Sequence, residues 1–113
     1  MSTIFTKIIN KEIETDIIYE DDHVIAFNDI LPQAPIHILI IPKVEIATVN
    51  DLNEDNSNIL GIMFLSAKKI ADKLGIASNG YRLVMNCNDD GGQTVFHIHL
   101  HLIGGRSLSW PPG

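Results

Sequence analysis

Three of the five histidines, His97, His99 and His101, alternate with apolar residues in a segment bounded by two glycine pairs. Side chains of a β-strand point alternately to its two faces, so an extended segment would present all three imidazoles on one side. A helix would scatter them, because successive side chains are rotated by about 100°. The spacing therefore predicts a strand with one chemically active face and one apolar face that packs in the core.

Three imidazoles on one face allow metal binding, nucleophilic catalysis or a pH-sensitive structural cluster. Histidine is a common zinc ligand, and His37 from a neighbouring apolar strand could join the other three. Imidazole has a pKa of about 6.5 and is largely neutral at pH 7. A free ring nitrogen can then attack phosphorus or an acyl carbon while neighbouring imidazoles orient it and protonate the leaving group. These residues alone give metal binding and phosphoryl chemistry comparable weight.

The segment that leads into the histidines favours phosphoryl chemistry. Gly91 and Gly92 supply flexible backbone whose N–H groups can turn toward an anion, and Gln93 and Thr94 add neutral hydrogen-bonding groups. The sequence contains neither a Walker-type lysine motif nor a magnesium-binding motif. The economical interpretation is covalent phosphoryl transfer that needs no metal and no other cofactor.

Composition predicts a single domain over residues 1–113, with 45% hydrophobic residues to form one core. A net charge of −6 without a basic stripe argues against a nucleic-acid partner. Cys87 is the single cysteine, so no disulfide can form within the chain. The sequence has no signal-peptide pattern and no apolar run of membrane-spanning length, so we expect a soluble, cytoplasmic protein with no membrane partner.

Hydrophobic periodicity places the remaining elements. We expect a short helix over residues 3–9, a hairpin formed by 17–20 and 24–28, a strand over 36–41 and another over 81–86. Residues 59–74 repeat apolar side chains at helical spacing and end before Gly75, which predicts one long amphipathic helix. The proline-rich tail over 107–113 is expected to dock through Trp110. The pattern indicates an α+β fold with helices packed on an antiparallel sheet.

Residues 93–103, QTVFHIHLHLI, are similar to the histidine-triad (HIT) pattern, in which three histidines alternate with apolar residues. The stretches IFTKII, FNDILPQAPIH, GYR and WPPG resemble the histidine triad nucleotide-binding (Hint) branch of that family, so the likeness covers essentially the whole chain. It implies a five-stranded antiparallel sheet with one long and one short helix. It also implies a homodimer, with the strand at 81–86 and the helix at 59–74 at the interface of a ten-stranded sheet.

The resemblance implies hydrolysis of the P–N bond of purine nucleoside phosphoramidates to AMP and an amine, and cleavage of aminoacyl-adenylates. Two alternatives stay open: a dinucleoside polyphosphate hydrolase, and a non-catalytic interaction protein that binds purine nucleotides. Asn28 and the segment 87–89 depart from the pattern of the branch, so the preference between adenine and guanine is open as well.

The resemblance also implies roles for individual residues. His99 would be the nucleophile, His101 would contact the phosphate and help protonate the leaving group, and His97 and His37 would orient His99, with the Thr94 hydroxyl nearby. Asn86, Gln93, Thr94 and the backbone near Val95 would line the phosphate side, and Asp29 would accept hydrogen bonds from the ribose. Trp110 would reach the partner's site. The residues implied to enclose the base are Ile4, Phe5, Ile8, Phe27, Ile30 and Leu39.

Overall fold

The computed structural model describes residues 3–113, which form a five-stranded sheet with helices on both faces. In chain order the elements are α1 (Ile4–Ile9), β1 (Ile17–Glu20), β2 (Val24–Asn28), β3 (Ile36–Pro42), a 3-10 turn (Val49–Asp51), α2 (Asn58–Lys73), β4 (Tyr81–Val84), α3 (Asn88–Gly91) and β5 (Leu100–Gly104). The strand order is β1-β2-β3-β5-β4, and every neighbouring pair is antiparallel. The predicted α+β class and five-stranded antiparallel sheet are therefore confirmed.

The hairpin of β1 and β2 begins and ends at the predicted residues. The carboxylate of Asp21 accepts hydrogen bonds from the backbone N–H groups of His23 and Val24, at 2.7 and 2.9 Å. This local side-chain pairing satisfies the backbone groups of the turn and fixes the connection between the strands. His23 is exposed in that turn, away from the other histidines.

Strand β5 is shorter than predicted, because it begins at Leu100 and leaves His97 and His99 outside it. Continuing the register of Ile40 with Leu100 would place Pro42 opposite Ile98. Proline has no N–H to donate to a ladder, so pairing ends there. The Ile98 N–H donates instead to the carbonyl of Ile46, at 2.8 Å. The segment approaches the sheet as an irregular extension of the strand.

The alternation of faces nevertheless holds through the whole segment. Ile98, Leu100 and Leu102 are buried in the main core, together with Ile38 and Ile40 of β3. Helix α2 covers this face and contributes Met63, Ala67 and Ile70 to the same core. The histidines lie on the opposite face, so the apolar contacts on one side of the sheet fix the direction of the imidazoles on the other.

A second, smaller core lies under α1, on the face that carries the histidines. Thr3 caps this helix by accepting a hydrogen bond from the N–H of Thr6. Phe5 and Ile8 are its buried residues and pack against Phe27, Leu39 and their neighbours on β2 and β3. The predicted packing helix is confirmed.

Three features differ from the predicted elements. The strand expected over 81–86 ends at Val84, and the short helix α3, which was not among the predicted elements, follows it and ends at Gly92 in a left-handed conformation with φ +80°. In α2, Phe64 is 47% exposed and Leu65 is 60% exposed, so the apolar surface of this helix extends beyond the face that the sheet covers.

Within residues 3–113, no helix is long and apolar enough to cross a bilayer.

The tail contacts β4 through the side chain of Arg82. The guanidinium of Arg82 donates to the carbonyl of Ser109, at 2.9 Å, and lies 5.8 Å from the centre of the Trp110 ring. Trp110 itself is 80% exposed.

Met63→Ala should lower the free energy of unfolding by about 2–5 kcal/mol, because the fully buried side chain leaves a cavity between α2 and the sheet. Urea denaturation followed by circular dichroism measures this change. The matched control is Lys69→Ala on the exposed side of the same helix, which should change the value by no more than about 0.5 kcal/mol. Equal effects of the two substitutions would contradict the packing described.

Candidate active site

A pocket of about 660 Å3 lies between α1 and the histidine-bearing face of the sheet. Every residue expected to bind nucleotide lines it, except Asn86 and Gln93. The residues of that expected set that form its walls are Ile4, Phe5, Ile8, Phe27, Asp29, Ile30, Leu39, Thr94, Val95, His99 and His101.

One row of paired residues crosses the floor of this pocket. His101 on β5 pairs with Leu39 on β3, Leu39 pairs with Phe27 on β2, and Phe27 pairs with Ile17 on β1. Adjacent strands are about 4.8 Å apart, so Phe27 lies roughly 10 Å from His101 across the sheet. The pocket thus has a polar end at the histidines and an apolar end under α1.

His99 lines the polar end with one ring nitrogen fixed and the other free. Its Nδ1 lies 2.8 Å from the carbonyl oxygen of His97. A carbonyl can only accept, so Nδ1 carries the proton and Nε2 keeps its lone pair. The ring of Phe5 meets the imidazole edge to face, with centroids 4.9 Å apart, and the side chain is 7% exposed. A hydrogen bond to the backbone has therefore selected the tautomer in which Nε2 carries no proton.

A chain of hydrogen bonds fixes the tautomer of His101 from further away. The backbone N–H of Gln33 donates to Nδ1 of His37, at 3.0 Å, which places the proton of His37 on Nε2. That nitrogen lies 2.9 Å from Nδ1 of His101 and donates to it. The proton of His101 is then on Nε2, which is buried and has no hydrogen-bond partner among residues 3–113. His101 therefore carries an unused N–H donor, in a ring whose centroid lies 5.0 Å from that of His99.

His97 anchors the segment and does not line the pocket. Its side chain is 1% exposed, and Nε2 donates to the carbonyl of Pro42, at 2.8 Å. Among residues 3–113, its Nδ1 has no hydrogen-bond partner. The ring holds the segment against the end of β3, and the backbone carbonyl of His97 orients His99.

Burial keeps the two pocket histidines neutral. Loss of solvent lowers the pKa of His101 to about 4, helped by its proximity to His99 and His37 and opposed by the carboxylate of Asp29. Loss of solvent also lowers the pKa of His99, and the proximity of His97 adds to this effect. The hydrogen bond to the His97 carbonyl and the charge of Asp29 partly offset it. At neutral pH both rings are uncharged, which keeps a lone pair on His99.

The remaining predicted residues occupy different positions around the pocket. Thr94 lines it as an exposed residue beside Val95. The amide of Gln93 is used internally, since Nε2 donates to the carbonyls of Ala47 and Val95 and Oε1 accepts from the N–H of Asn88. Asn86 and Trp110 do not line the pocket.

Asp29 stands at the rim. Its Oδ1 accepts from the N–H of Leu31, at 2.8 Å, and its Oδ2 lies 3.4 Å from Nε2 of His37. Among the residues described, Asp29, His37 and His101 form one group whose potential metal-ligand atoms lie within 4.8 Å of one another. The facing nitrogens of the two histidines already share a hydrogen bond, so an ion there would have to displace the proton between them. The expectation of a metal-free site stays a prediction.

Sequence reasoning missed several wall residues. Ile13, Glu14, Thr15 and Asp16 line the apolar end from the segment between α1 and β1, and Asn28 and Leu31 line the rim. The signal available was the position of this segment: it joins a helix predicted to pack on the sheet to the first strand of the hairpin. The lining residues include three carboxylates but neither lysine nor arginine. Neutral donors would therefore have to hold a phosphate in this pocket.

Residues 10–108 match the model of the HIT domain family. The chain is 59% identical over 106 residues to the purine nucleoside phosphoramidase of Escherichia coli K12, with 94% of this chain and 89% of that protein covered. The crystal structure of a HIT family hydrolase from Legionella pneumophila superposes with a TM-score of 0.96 at 53% identity, covering 99% of this chain and 100% of that one. A HIT family hydrolase from Clostridium thermocellum superposes with a TM-score of 0.91 at 52% identity, covering 94% and 92%.

Fold, pocket and histidine arrangement define a class of small α+β domains with histidines along one face of an antiparallel sheet. The protein belongs to the HIT domain family. The resemblance to that family found in the sequence is confirmed.

The free energy of unfolding should fall as the pH is lowered from about 6.5 to about 4. In this window the unfolded chain takes up a proton that folded His101 excludes, so acid favours unfolding. His101→Gln removes this titrating group and should flatten the pH dependence relative to the unmodified protein. Urea unfolding at a series of pH values measures the difference. The exposed-histidine control His23→Gln should keep the original slope, and parallel curves for the unmodified protein and His101→Gln would contradict the lowered pKa.

Proposed function

We propose that this protein hydrolyses purine nucleoside phosphoramidates by attack of His99 on phosphorus, releasing an amine and a nucleoside monophosphate. The observation that carries the proposal is a lone pair on His99 Nε2 and an N–H on His101 Nε2, in two rings that line one pocket with their centroids 5.0 Å apart. The similarity to a purine nucleoside phosphoramidase supports it. So does the absence of lysine and arginine from the pocket walls among residues 3–113, since it leaves the imidazoles as the chemical groups nearest a bound phosphate.

In the first step His99 Nε2 forms a bond to phosphorus, and the P–N bond of the substrate breaks with its electron pair moving to the leaving nitrogen. That nitrogen takes the Nε2 proton of His101 and departs as the amine, while solvent returns one proton to His101. The nucleotidylated ring of His99 becomes cationic, and the Nδ1–H bond to the His97 carbonyl stabilises that charge.

In the second step water attacks phosphorus, the bond to His99 Nε2 breaks, and its electron pair returns to the imidazole. The water gives up one proton to solvent, which balances the proton consumed in the first step. The product is a nucleoside 5′-monophosphate, and His99 regains its starting tautomer.

The pocket dimensions suit this orientation of substrate. With phosphorus beside His99, the base would extend along the floor toward Phe27 and under Phe5 and Ile8, whose rings and aliphatic carbons cover its faces. The Asp29 carboxylate would meet the ribose hydroxyls at the rim. Thr94 and the backbone near Val95 would donate to the phosphate oxygens.

His99→Ala should lower the turnover of adenosine 5′-phosphoramidate by at least about 1,000-fold. Binding of AMP should be retained, because the substitution removes only the nucleophile. Intact-mass spectrometry of an early quench should detect an adduct of one AMP unit in the unmodified protein and none in His99→Ala. Steady-state AMP release in the presence of chelator is measured alongside.

His23→Ala is the matched control, since His23 is the histidine outside the cluster and should keep full activity and the adduct. Turnover that survives in His99→Ala would overturn the assignment of the nucleophile. Binding of AMP without any turnover in the unmodified protein would leave a nucleotide-binding protein, and turnover abolished by chelator would favour a metal-dependent site.

The proposed function extends to a homodimer in which two copies of β4 pair. Strand β4 is an edge strand, so one side of it offers free backbone donors and acceptors. Phe64 and Leu65 expose apolar surface on α2. A two-fold axis beside β4 would join the sheets into ten strands and cover apolar surface of both helices. Because Arg82 ties the tail to this edge, Trp110 would then reach toward the site of the partner.

Leu65→Glu should shift the protein from dimer to monomer, because a carboxylate would be buried in an apolar contact. Sedimentation velocity over a range of concentrations measures the distribution. Lys7→Glu is the control, because Lys7 is exposed on α1, on the opposite face of the sheet from α2, and this substitution should leave the dimer intact. A monomeric unmodified protein, or a Leu65→Glu variant as dimeric as the control, would contradict the proposed interface.

A further inference from the structure

We propose that Arg106 is a positioning residue that holds His101 in the tautomer required for proton donation, acting through Gln33 and His37. The kinetic part of this inference rests on the proposed function, whereas its structural part concerns only which ring nitrogens carry protons. Arg106 lies outside the pocket and was not among the candidate site residues.

The guanidinium of Arg106 donates two hydrogen bonds to the carbonyl of Gln33. Nη2 and Nε both donate to the oxygen of Gln33, at 2.9 and 3.3 Å, while Nη1 donates to the carbonyl of Ser107, at 3.1 Å. Three donors of a rigid planar fork are thus engaged by two backbone carbonyls. The residue whose carbonyl is held is the same residue whose N–H donates to His37.

The backbone delivers Arg106 to this position. Strand β5 ends at Gly104, which pairs with Ile36 at the start of β3. Gly105 follows with φ +89°, and a Cβ there would lie 3.0 Å from the side chain of Pro35. Only glycine allows the chain to pass so closely and with that backbone angle, so the turn brings Arg106 against the loop at residues 29–35.

This loop has few other anchors. Residues 30–33 are exposed, and their other hydrogen bonds run within the loop, from the N–H of Leu31 to Asp29 and from the Gln33 amide to the Leu31 carbonyl. The position of the Gln33 N–H therefore depends on the hydrogen bonds that Arg106, from outside this loop, donates to the Gln33 carbonyl. Since exposed loops open at low free-energy cost, this contact decides how often the Gln33 N–H faces His37.

Loss of the hydrogen bond from the Gln33 N–H would reverse the donor and acceptor roles between His37 and His101. With Nδ1 of His37 free to hold the proton, its Nε2 becomes an acceptor and takes a hydrogen bond from Nδ1–H of His101. His101 Nε2 then carries a lone pair instead of a proton, and the pocket loses its donor. The Asp29 carboxylate, 3.4 Å from His37 Nε2, favours the original tautomer, so removing Arg106 should mix the two forms without inverting them.

The experiment compares Arg106→Gln with Arg82→Gln by long-range 15N–1H correlation of the histidine rings, without ligand. These are the two arginines of the sequence, and each donates to a backbone carbonyl. In the unmodified protein and in Arg82→Gln, His37 and His101 should each give the pattern of a single Nε2–H tautomer. In Arg106→Gln both should show averaged shifts, while His99 keeps its Nδ1–H pattern.

Kinetics provides the second measurement. In Arg106→Gln kcat should fall about three- to ten-fold with KM within about two-fold, since the change removes a donor needed in the transition state. Arg106→Lys keeps the charge and one donor, so its ring shifts and kcat should lie between those of the unmodified protein and Arg106→Gln. This variant also carries the test if Arg106→Gln does not fold.

Unchanged ring shifts in both Arg106 variants would overturn the inference, and so would averaged shifts with unchanged kcat. Because the spectra need no substrate, they separate this inference from the proposed function. A protein with no turnover but with shifts that respond to Arg106 would refute the function and leave the tautomer control standing.

Discussion

The chemistry proposed for this domain depends on one hydrogen bond, from His99 Nδ1–H to the carbonyl of the residue two positions earlier. A carbonyl has no alternative protonation state, so it selects the tautomer of the ring without itself titrating. This hydrogen bond forms because His97 and His99 lie before the first residue of β5 that pairs with β3. Pro42 ends strand pairing, its carbonyl holds the ring of His97, and the Ile98 N–H finds Ile46 outside the sheet. In a regular strand, the carbonyl of His97 would instead be available to accept a hydrogen bond from a neighbouring strand.

The second constraint is that the imidazoles stay neutral while lying close together. The rings of His99 and His101 are 5.0 Å apart, and two charges at that separation inside a protein would repel strongly. Burial under α1 lowers the pKa of both, which removes the repulsion and preserves the lone pair. Among residues 3–113, no lysine or arginine lines the pocket. A phosphate bound here would rely on backbone and neutral side-chain donors, which suits a site that must release an anionic product.

Sequence reasoning succeeded where the physics is local and periodic. Alternation assigned the faces of the histidine segment, and the hairpin and helix bounds followed from apolar spacing and turn residues such as Asp21. It failed where a distant group decides. The start of β5 depends on which residue faces Pro42. The amide of Gln93 hydrogen-bonds to two loops and does not line the pocket. Glu14 and Asp16 line the pocket only because of the tertiary packing. None of these contacts leaves a periodic trace in the chain.

The proton shared by His37 and His101 also lies where a metal ion would have to bind. The hydrogen bond between His37 Nε2 and His101 Nδ1 requires one proton between the two nitrogens, and this proton forces the other onto Nε2 of His101. A cation held by Asp29, His37 and His101 would take the place of the shared proton. The donor of His101 would survive, because a ring ligated through Nδ1 keeps its proton on Nε2. The conflict lies at His37, since a metal on its Nε2 would move the proton of that ring to Nδ1, where it would face the N–H of Gln33. The hydrogen bond from Gln33 is therefore the contact that disfavours a metal at this group of side chains.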